Sequence, residues 1–117
     1  MDLRDLVQAL LQGESLRARQ WVADAALCGL SWSELPSPEG LSPVGRAVAA
    51  GVVEMMASRA GQEPPPWAAD VPASPTTVFL VRAAETMPRL RRLCEEEGPY
   101  PLRSRRIIAP PEFLTWA

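Results

Sequence analysis

The chain has 117 residues, 47% of them hydrophobic, which predicts one globular domain with a modest core. Its 14 acidic and 12 basic residues leave a net charge of −2, a balance that favours neither nucleic acid nor an anionic membrane as a partner. Every basic residue is Arg, and the absence of His and Lys excludes Ser-His-Asp and Cys-His nucleophile pairs, imidazole metal ligands and Schiff-base amines, so we expect neither catalysis nor a metal or other cofactor.

The prolines divide the chain near Gly61, because three of the 13 precede that residue and ten follow it. Since proline interrupts helices and strands, we expect a helical half over residues 1–61 and a proline-broken half over residues 62–117. The predicted fold class is mainly α. It is a single small helical domain over residues 1–117, whose irregular C-terminal half has room for one short strand pair.

Two short helices joined by a tight turn are expected first. Asp2 is a suitable N-cap for the first helix, which ends at Gly13. Ser15 is a suitable cap for the second, which runs to about Cys28 and ends at Gly29. Their helical spacing predicts buried stripes made of Leu3, Leu6, Val7, Leu10 and Leu11 in the first helix and Leu16, Val22, Ala23, Ala26 and Leu27 in the second.

A third helix is the clearest element of the sequence. The connection before it, residues 30–41, should pack on the helices through Leu30, Trp32 and Leu35. Ser42 then caps a helix with Pro43 at its first position, where a missing N–H costs nothing, and the helical period continues to Gly61. Small side chains on this helix would admit a second helix at close range, and self-assembly through them is one alternative function: Gly45, Ala47, Ala49, Ala50 and Gly51. Met55 and Met56 fill the core or, as an alternative, line a peptide groove.

The second half is predicted to alternate between extended and helical segments. Residues 63–67 favour a polyproline II arm rather than a helix, with Trp67 anchoring it to the core; a ligand for a proline-binding domain is the alternative. Residues 78–81 have strand length, although they could enter a helix near Arg82. A helix is expected from about Met87 to Glu97, and residues 106–109 are the other strand candidate.

Two features bear on cellular location. Met1 to Asp5 lacks the basic and apolar regions of a signal peptide, and the apolar stretch near Ala47 to Val53 is too short to span a bilayer, so we expect a cytoplasmic protein. Cys28 and Cys94 are too few for a disulfide framework or a Cys-only zinc site, and both are expected to be small buried side chains.

The helix near residue 90 carries three Arg before three Glu. At a spacing of four residues, Arg91 faces Glu95 and Arg92 faces Glu96, so each pair partly neutralises itself. The order runs against the helix macrodipole, which favours carboxylates at the N-terminus and cations at the C-terminus. A partner that uses these charges is one explanation, and a solvated amphipathic face is the other.

Arginines of the second half would together make one cationic surface suited to bidentate recognition of carboxylates or phosphates: Arg82, Arg89, Arg91, Arg92, Arg103, Arg105 and Arg106. Regulatory nucleic-acid binding through this surface is an alternative function, although only Tyr100 supplies an aromatic ring beside it. The terminal residues Phe113, Leu114 and Trp116 should dock on the protein's own core or on a partner. Phe113 and Trp116 therefore join the arginines as candidate partner-binding residues.

Several short motifs resemble those of a known family: Pro65-Pro66-Trp67, Phe79-Leu80-Val81-Arg82, Met87-Pro88-Arg89-Leu90-Arg91, Pro101-Leu102-Arg103 and Ala109-Pro110-Pro111-Glu112-Phe113-Leu114. The chain resembles, over residues 42–117, the small bacterial antitoxin-like proteins encoded beside nucleotidyltransferase-type toxins. It departs from their pattern at Glu112, where the pattern has Asn, and at Arg106, where the pattern has Gly.

The resemblance implies a non-catalytic antitoxin whose partner is a nucleotidyltransferase-type enzyme. Neutralisation is then expected through contacts of the Arg-rich C-terminal half with acidic, metal-binding carboxylates of the partner, or through the C-terminal tail covering the nucleotide pocket.

Overall fold

A computed structural model of the chain describes residues 2–114, and most of their regular structure is helical. The helices are α1 (Leu3–Leu11), α2 (Ser15–Leu27), α3 (Pro43–Arg59), α4 (Pro66–Ala69), α5 (Pro88–Glu97) and α6 (Tyr100–Arg103), and the strands are β1 (Val78–Phe79) and β2 (Ile107–Ile108). The predicted fold class, mainly α with an irregular C-terminal half and one short strand pair, is confirmed.

Local capping signals define α1 but not the start of α2. The Asp2 carboxylate accepts a hydrogen bond from the Arg4 backbone N–H at 2.9 Å, and Gly13 follows α1 at a φ of 73°, as the cap predictions require. The prediction that Ser15 caps α2 is wrong. Ser15 is already the first helical residue, and Glu14 occupies the N-cap position without a side-chain hydrogen bond.

The face that α2 buries differs from the predicted stripe. The Trp21 indole N–H donates to the Asp2 carbonyl oxygen at 3.0 Å, and its ring packs against that of Trp32 with centroids 6.0 Å apart. This large side chain turns the helix so that Ala18, Trp21, Val22 and Ala25 face the core. Leu16 and Leu27, expected inside, are 83% and 86% exposed. Leu11 and Ala26, also expected inside, lie exposed as well.

Helix α3 lies at the centre of the core. The Ser42 hydroxyl accepts from the Gly45 N–H at 3.1 Å, which confirms the predicted cap. An added Cβ on Gly51 would lie 2.7 Å from Cδ2 of Leu102, so α6 packs directly on α3 at this residue, and the other small residues of α3 are buried as well. Because the same chain covers these residues, the prediction of self-assembly through them is wrong. Met55 is buried and Met56 packs against the core, so the methionine pair fills the core rather than lining a groove.

The proline segment after Gly61 contains a helix that the sequence did not predict. Pro65 has the polyproline II dihedrals expected, a φ of −64° and a ψ of 145°, but Pro66 begins the single turn of α4. A proline at the first position of a helix already has a helical φ, and its missing N–H would have no hydrogen-bond partner within the helix. A helix can therefore begin at Pro66 directly after the extended Pro65. The Trp67 indole N–H donates to the Leu35 carbonyl oxygen at 2.8 Å, which confirms the predicted anchor.

The two strands are parallel, with Val78 beside Ile107 and Phe79 beside Ile108. Ile107 belongs to the main core, whereas Ile108 joins Ala84 and Cys94 in a second, smaller cluster. Helix α5 lies on this second cluster, which positions its charged residues at the surface.

The two cysteines have different environments. Cys94 is buried as expected, and burial raises the pKa of its thiol, with Glu112 and Glu95 adding in the same direction. Cys28 is exposed, so the expectation that it is buried is wrong. Within residues 2–114, no helix is long and apolar enough to cross a membrane.

Candidate functional site

Helix α5 presents most of its surface to solvent. Cys94 is the residue that it buries fully, and the partly buried Leu90 packs against the second cluster, as Phe79 does. Pro88 occupies the first helical position, as the sequence predicts, and Met87 before it is 53% exposed. The helix is therefore held from one side, and its charged side chains line the outer side.

The two predicted ion pairs are confirmed. Nε of Arg91 lies 2.9 Å from Oε1 of Glu95, and Nε of Arg92 lies 3.1 Å from Oε1 of Glu96. The Arg91 guanidinium also lies over the ring of Phe79, 5.1 Å from its centroid. All four charged side chains are about half exposed or more. Such pairs add little to stability, so these charges remain able to meet a partner.

Further candidate contact residues lie on α5 and beside it. Among residues 2–114, Arg89 forms no ion pair. Tyr100, which begins α6, is 71% exposed, and the Arg103 guanidinium lies 5.9 Å from its ring centroid. Nε of Arg103 donates to the Gly98 carbonyl oxygen at 2.6 Å, which holds the guanidinium in place. We call the exposed set Met87, Arg89, Arg92, Tyr100 and Arg103 the α5–α6 surface.

Arg105 does not belong to any exposed surface, which corrects its inclusion in the predicted cationic patch. Its residue exposure is 8%, and its guanidinium forms an ion pair with Glu54 of α3. Its two terminal nitrogens donate to the carbonyl oxygens of Pro101 at 3.0 Å and Ala68 at 2.9 Å. Arg105 thus joins α3, α4 and α6 in the interior, and the seven arginines do not form one surface.

Arg82 and Phe113 lie together at a different place, a groove of about 410 Å³ between the α1–α2 turn and residues 110–114. The Arg82 guanidinium donates to the Gln12 carbonyl oxygen at 3.4 Å, where a cation is favoured by the carbonyl end of α1. A Cβ added to Gly13 would lie 3.2 Å from Nε of Arg82. Phe113 is half-buried and packs on the main core, as does Leu114. For the described part of the tail, docking on the protein's own core is confirmed; Trp116 lies outside the described residues.

Arg59, which the sequence analysis missed, holds the tail in place. Its guanidinium donates to the carbonyl oxygens of Phe113 and, at 3.2 Å, Pro111, and burial lowers the pKa of this group. An Arg in the last turn of a helix is a general signal for binding carbonyl oxygens. Nothing local, however, points to an acceptor more than fifty residues away.

Arg106 is exposed, and its side chain donates to the Pro75 carbonyl oxygen at 3.4 Å. Its φ is 65°, a left-handed conformation that favours glycine.

Among residues 2–114, no group of three or more Cys, Asp or Glu side chains could hold a metal ion. Comparison of the chain with protein-family models, curated proteins and solved structures gave no match.

Proposed function

We propose that the chain is a non-catalytic protein-binding module of the antitoxin type, acting in the cytoplasm, which neutralises a nucleotidyltransferase-type enzyme through its α5–α6 surface. The observation that carries this proposal is the composition of that surface. It combines exposed Arg89, Arg92 and Arg103 with an exposed Tyr100. Arg and Tyr are enriched at the residues that dominate binding energy in protein interfaces.

The charge order on α5 supports a role outside the fold. Its arginines lie toward the N-terminus and its glutamates toward the C-terminus, which is unfavourable with respect to the helix dipole. Stability of the helix therefore does not account for the arrangement, whereas recognition of a partner that bears both charges does.

The same helix argues against the alternative of nucleic-acid binding. Glu95, Glu96 and Glu97 are all exposed beside the arginines. Carboxylates so close to the guanidinium groups would repel a phosphate backbone. The affinity of a protein for nucleic acid depends on positive charge that is not compensated in this way. A protein partner tolerates this mixed surface more readily.

The conformation of Arg106 supports the family resemblance on which the choice of partner rests. Arg106 has a left-handed backbone conformation, which glycine adopts most readily. If the chain and the proteins that it resembles share one backbone conformation, a Gly is expected at this position in their pattern. If the partner is a nucleotidyltransferase-type enzyme, Arg89 and Arg103 are suited to bind the acidic side chains that hold its metal ions.

The test pairs the purified protein with a nucleotidyltransferase-type enzyme, which the resemblance implies is encoded beside it. Affinity is measured by calorimetry, and inhibition by nucleotidyl transfer to the enzyme's substrate. We expect Arg89→Glu and Arg92→Glu together to weaken binding at least tenfold, roughly the effect of losing one interface hot spot, and to relieve inhibition. The control is Arg46→Glu, which reverses one charge of the same type at an exposed position of α3 and should leave affinity within about twofold.

Capture of the tagged protein from nuclease-treated lysate distinguishes the alternatives. Retention of the enzyme at both low and high salt supports the proposal. Unchanged affinity and inhibition in the double variant would refute the assigned surface, and recovery of nucleic acid alone, lost at high salt, would favour the nucleic-acid function.

A further inference from the structure

Helix α2 carries an exposed apolar seam on the side opposite its buried face. Leu16 and Leu27 are 83% and 86% exposed, among the largest values for apolar side chains in residues 2–114. Gln20 and the half-buried Ala23 lie between them. The spacing of these four residues is four, three and four, the pattern that places side chains along one seam of a paired helix.

The seam follows from how α2 is held. Trp21 fixes the rotation of the helix through its indole hydrogen bond to Asp2 and its contact with Trp32. The exposure of Leu16 and Leu27 is therefore a consequence of how α2 packs on the rest of the domain. Both ends of the seam carry a large side chain, and the middle carries a small one, Ala23, beside the amide of Gln20.

Charges on one flank of the seam complement each other. Arg17 and Asp24 each follow a seam residue by one position, and being seven residues apart they lie on the same flank. Within residues 2–114, Arg17 is bound only to Glu14, at 2.9 Å, with both side chains nearly half exposed. Asp24 accepts from the Gln20 side-chain amide at 2.8 Å.

We propose that this seam is a self-association surface, on which α2 of a second copy packs antiparallel. A two-fold axis through the centre of the seam places Leu16 on Leu27 of the second copy and Gln20 on Ala23. Such an axis also brings the same flank of both helices together. Arg17 of each copy then faces Asp24 of the other, giving two ion pairs between the chains.

The antiparallel orientation is favoured over the parallel one by Gln20. In a parallel pair, the two Gln20 side-chain amides would meet inside the seam. Each amide would be removed from water next to apolar side chains, which is unfavourable. In the antiparallel pair each Gln20 lies against the small side chain of Ala23 and keeps its hydrogen bond to Asp24.

The size of the seam sets the expected affinity. A helix of 13 residues is only about 20 Å long. The interface is therefore at the small end of the known range, below about 1,200 Å² in total, which is typical of weak, reversible association. We expect a dimer whose population depends on concentration, with a dissociation constant of roughly micromolar or weaker.

The test is sedimentation equilibrium of the full chain over a thousandfold range of concentration, with reductant present because Cys28 is exposed. The apparent mass should rise from 12.8 kDa towards twice that value. Leu27→Glu should stay monomeric throughout, because it places two buried carboxylates in the dimer. The matched control, Leu11→Glu, makes the same change at an exposed leucine of a different helix, α1, and should dimerise as the original chain does.

A charge exchange tests the antiparallel register. Asp24→Arg should weaken the dimer roughly threefold to tenfold at low salt, since it sets Arg17 against Arg at two places. Adding Arg17→Asp should restore the affinity to within about twofold. A mass of 12.8 kDa at every concentration, or equal dimerisation of Leu27→Glu and the original chain, would overturn the proposal. Failure of the second charge change to restore affinity would overturn the antiparallel arrangement.

Discussion

At the scale of single residues, the contrast between Arg105 and Arg91 shows how position decides the role of an arginine. Arg91 pairs with a glutamate four residues away, at the surface, and the sequence was sufficient to predict this. Arg105 pairs with Glu54, about fifty residues earlier, and binds carbonyl oxygens from two other segments. No spacing rule links those groups, so the sequence placed Arg105 in a surface patch with its neighbours.

The buried pair predicts a large loss of stability when one partner is removed. Glu54→Ala should lower the free energy of unfolding by about 3–5 kcal/mol, because the Arg105 charge would stay in the interior without its counter-ion. Urea denaturation followed by tryptophan fluorescence measures the change. Glu95→Ala is the matched control, since it breaks an exposed pair and should cost at most about 1 kcal/mol.

The double variant Glu54→Leu with Arg105→Met completes this test. Replacing both charges by apolar groups of similar volume should recover much of the lost stability. If Glu54→Ala lowers the free energy of unfolding no more than Glu95→Ala does, the other hydrogen bonds of Arg105 compensate for the lost carboxylate. The ion pair is then not what holds α3, α4 and α6 together.

At the scale of whole elements, three helices could be predicted nearly to the residue because their signals are local. Asp2 and Ser42 cap α1 and α3, and proline opens α5. The single-turn helices α4 and α6 were missed, since a turn of four residues has too few positions to show a helical period. The buried face of α2 was also missed, because Trp21 competes with the leucines for the core and its larger surface prevails.

Two glycines at helix ends are needed for different reasons, which gives a prediction. Gly98 follows α5 with an ordinary φ of −61°, but an added Cβ would collide with the carbonyl oxygens of Ala109 and Cys94. Gly29 follows α2 with a φ of 67° and has open space around it. Gly29→Ala should therefore cost about 1 kcal/mol of backbone strain.

Gly98→Ala should cost at least about 2 kcal/mol more, because backbone atoms of two segments must move apart. Thermal unfolding of both variants beside the original chain gives the comparison. Equal stability of the two variants would mean that residue 109 does not pass Gly98 as closely as the geometry requires.

At the scale of the whole molecule, the halves that the prolines separate share one core. Leu102, Ile107 and Ala109 of the second half are fully buried in the same cluster as Val48 and Val52 of α3. Arg105 and Arg59 add polar links across the same division. The sequence predicted the division from composition, but it could not show that the second half covers α3.

This shared core predicts that residues 1–61 do not fold alone, because α3 would expose the face that α4 and α6 cover in the complete chain. The fragment should lack a cooperative thermal transition, and the near-ultraviolet circular dichroism of Trp21 and Trp32 should be lost. Adding residues 62–117 as a separate peptide should restore both signals, since the missing contacts are side-chain contacts rather than chain connectivity. A cooperative transition in the fragment by itself would show that the first half is an independent domain and that the second half is an attachment to it.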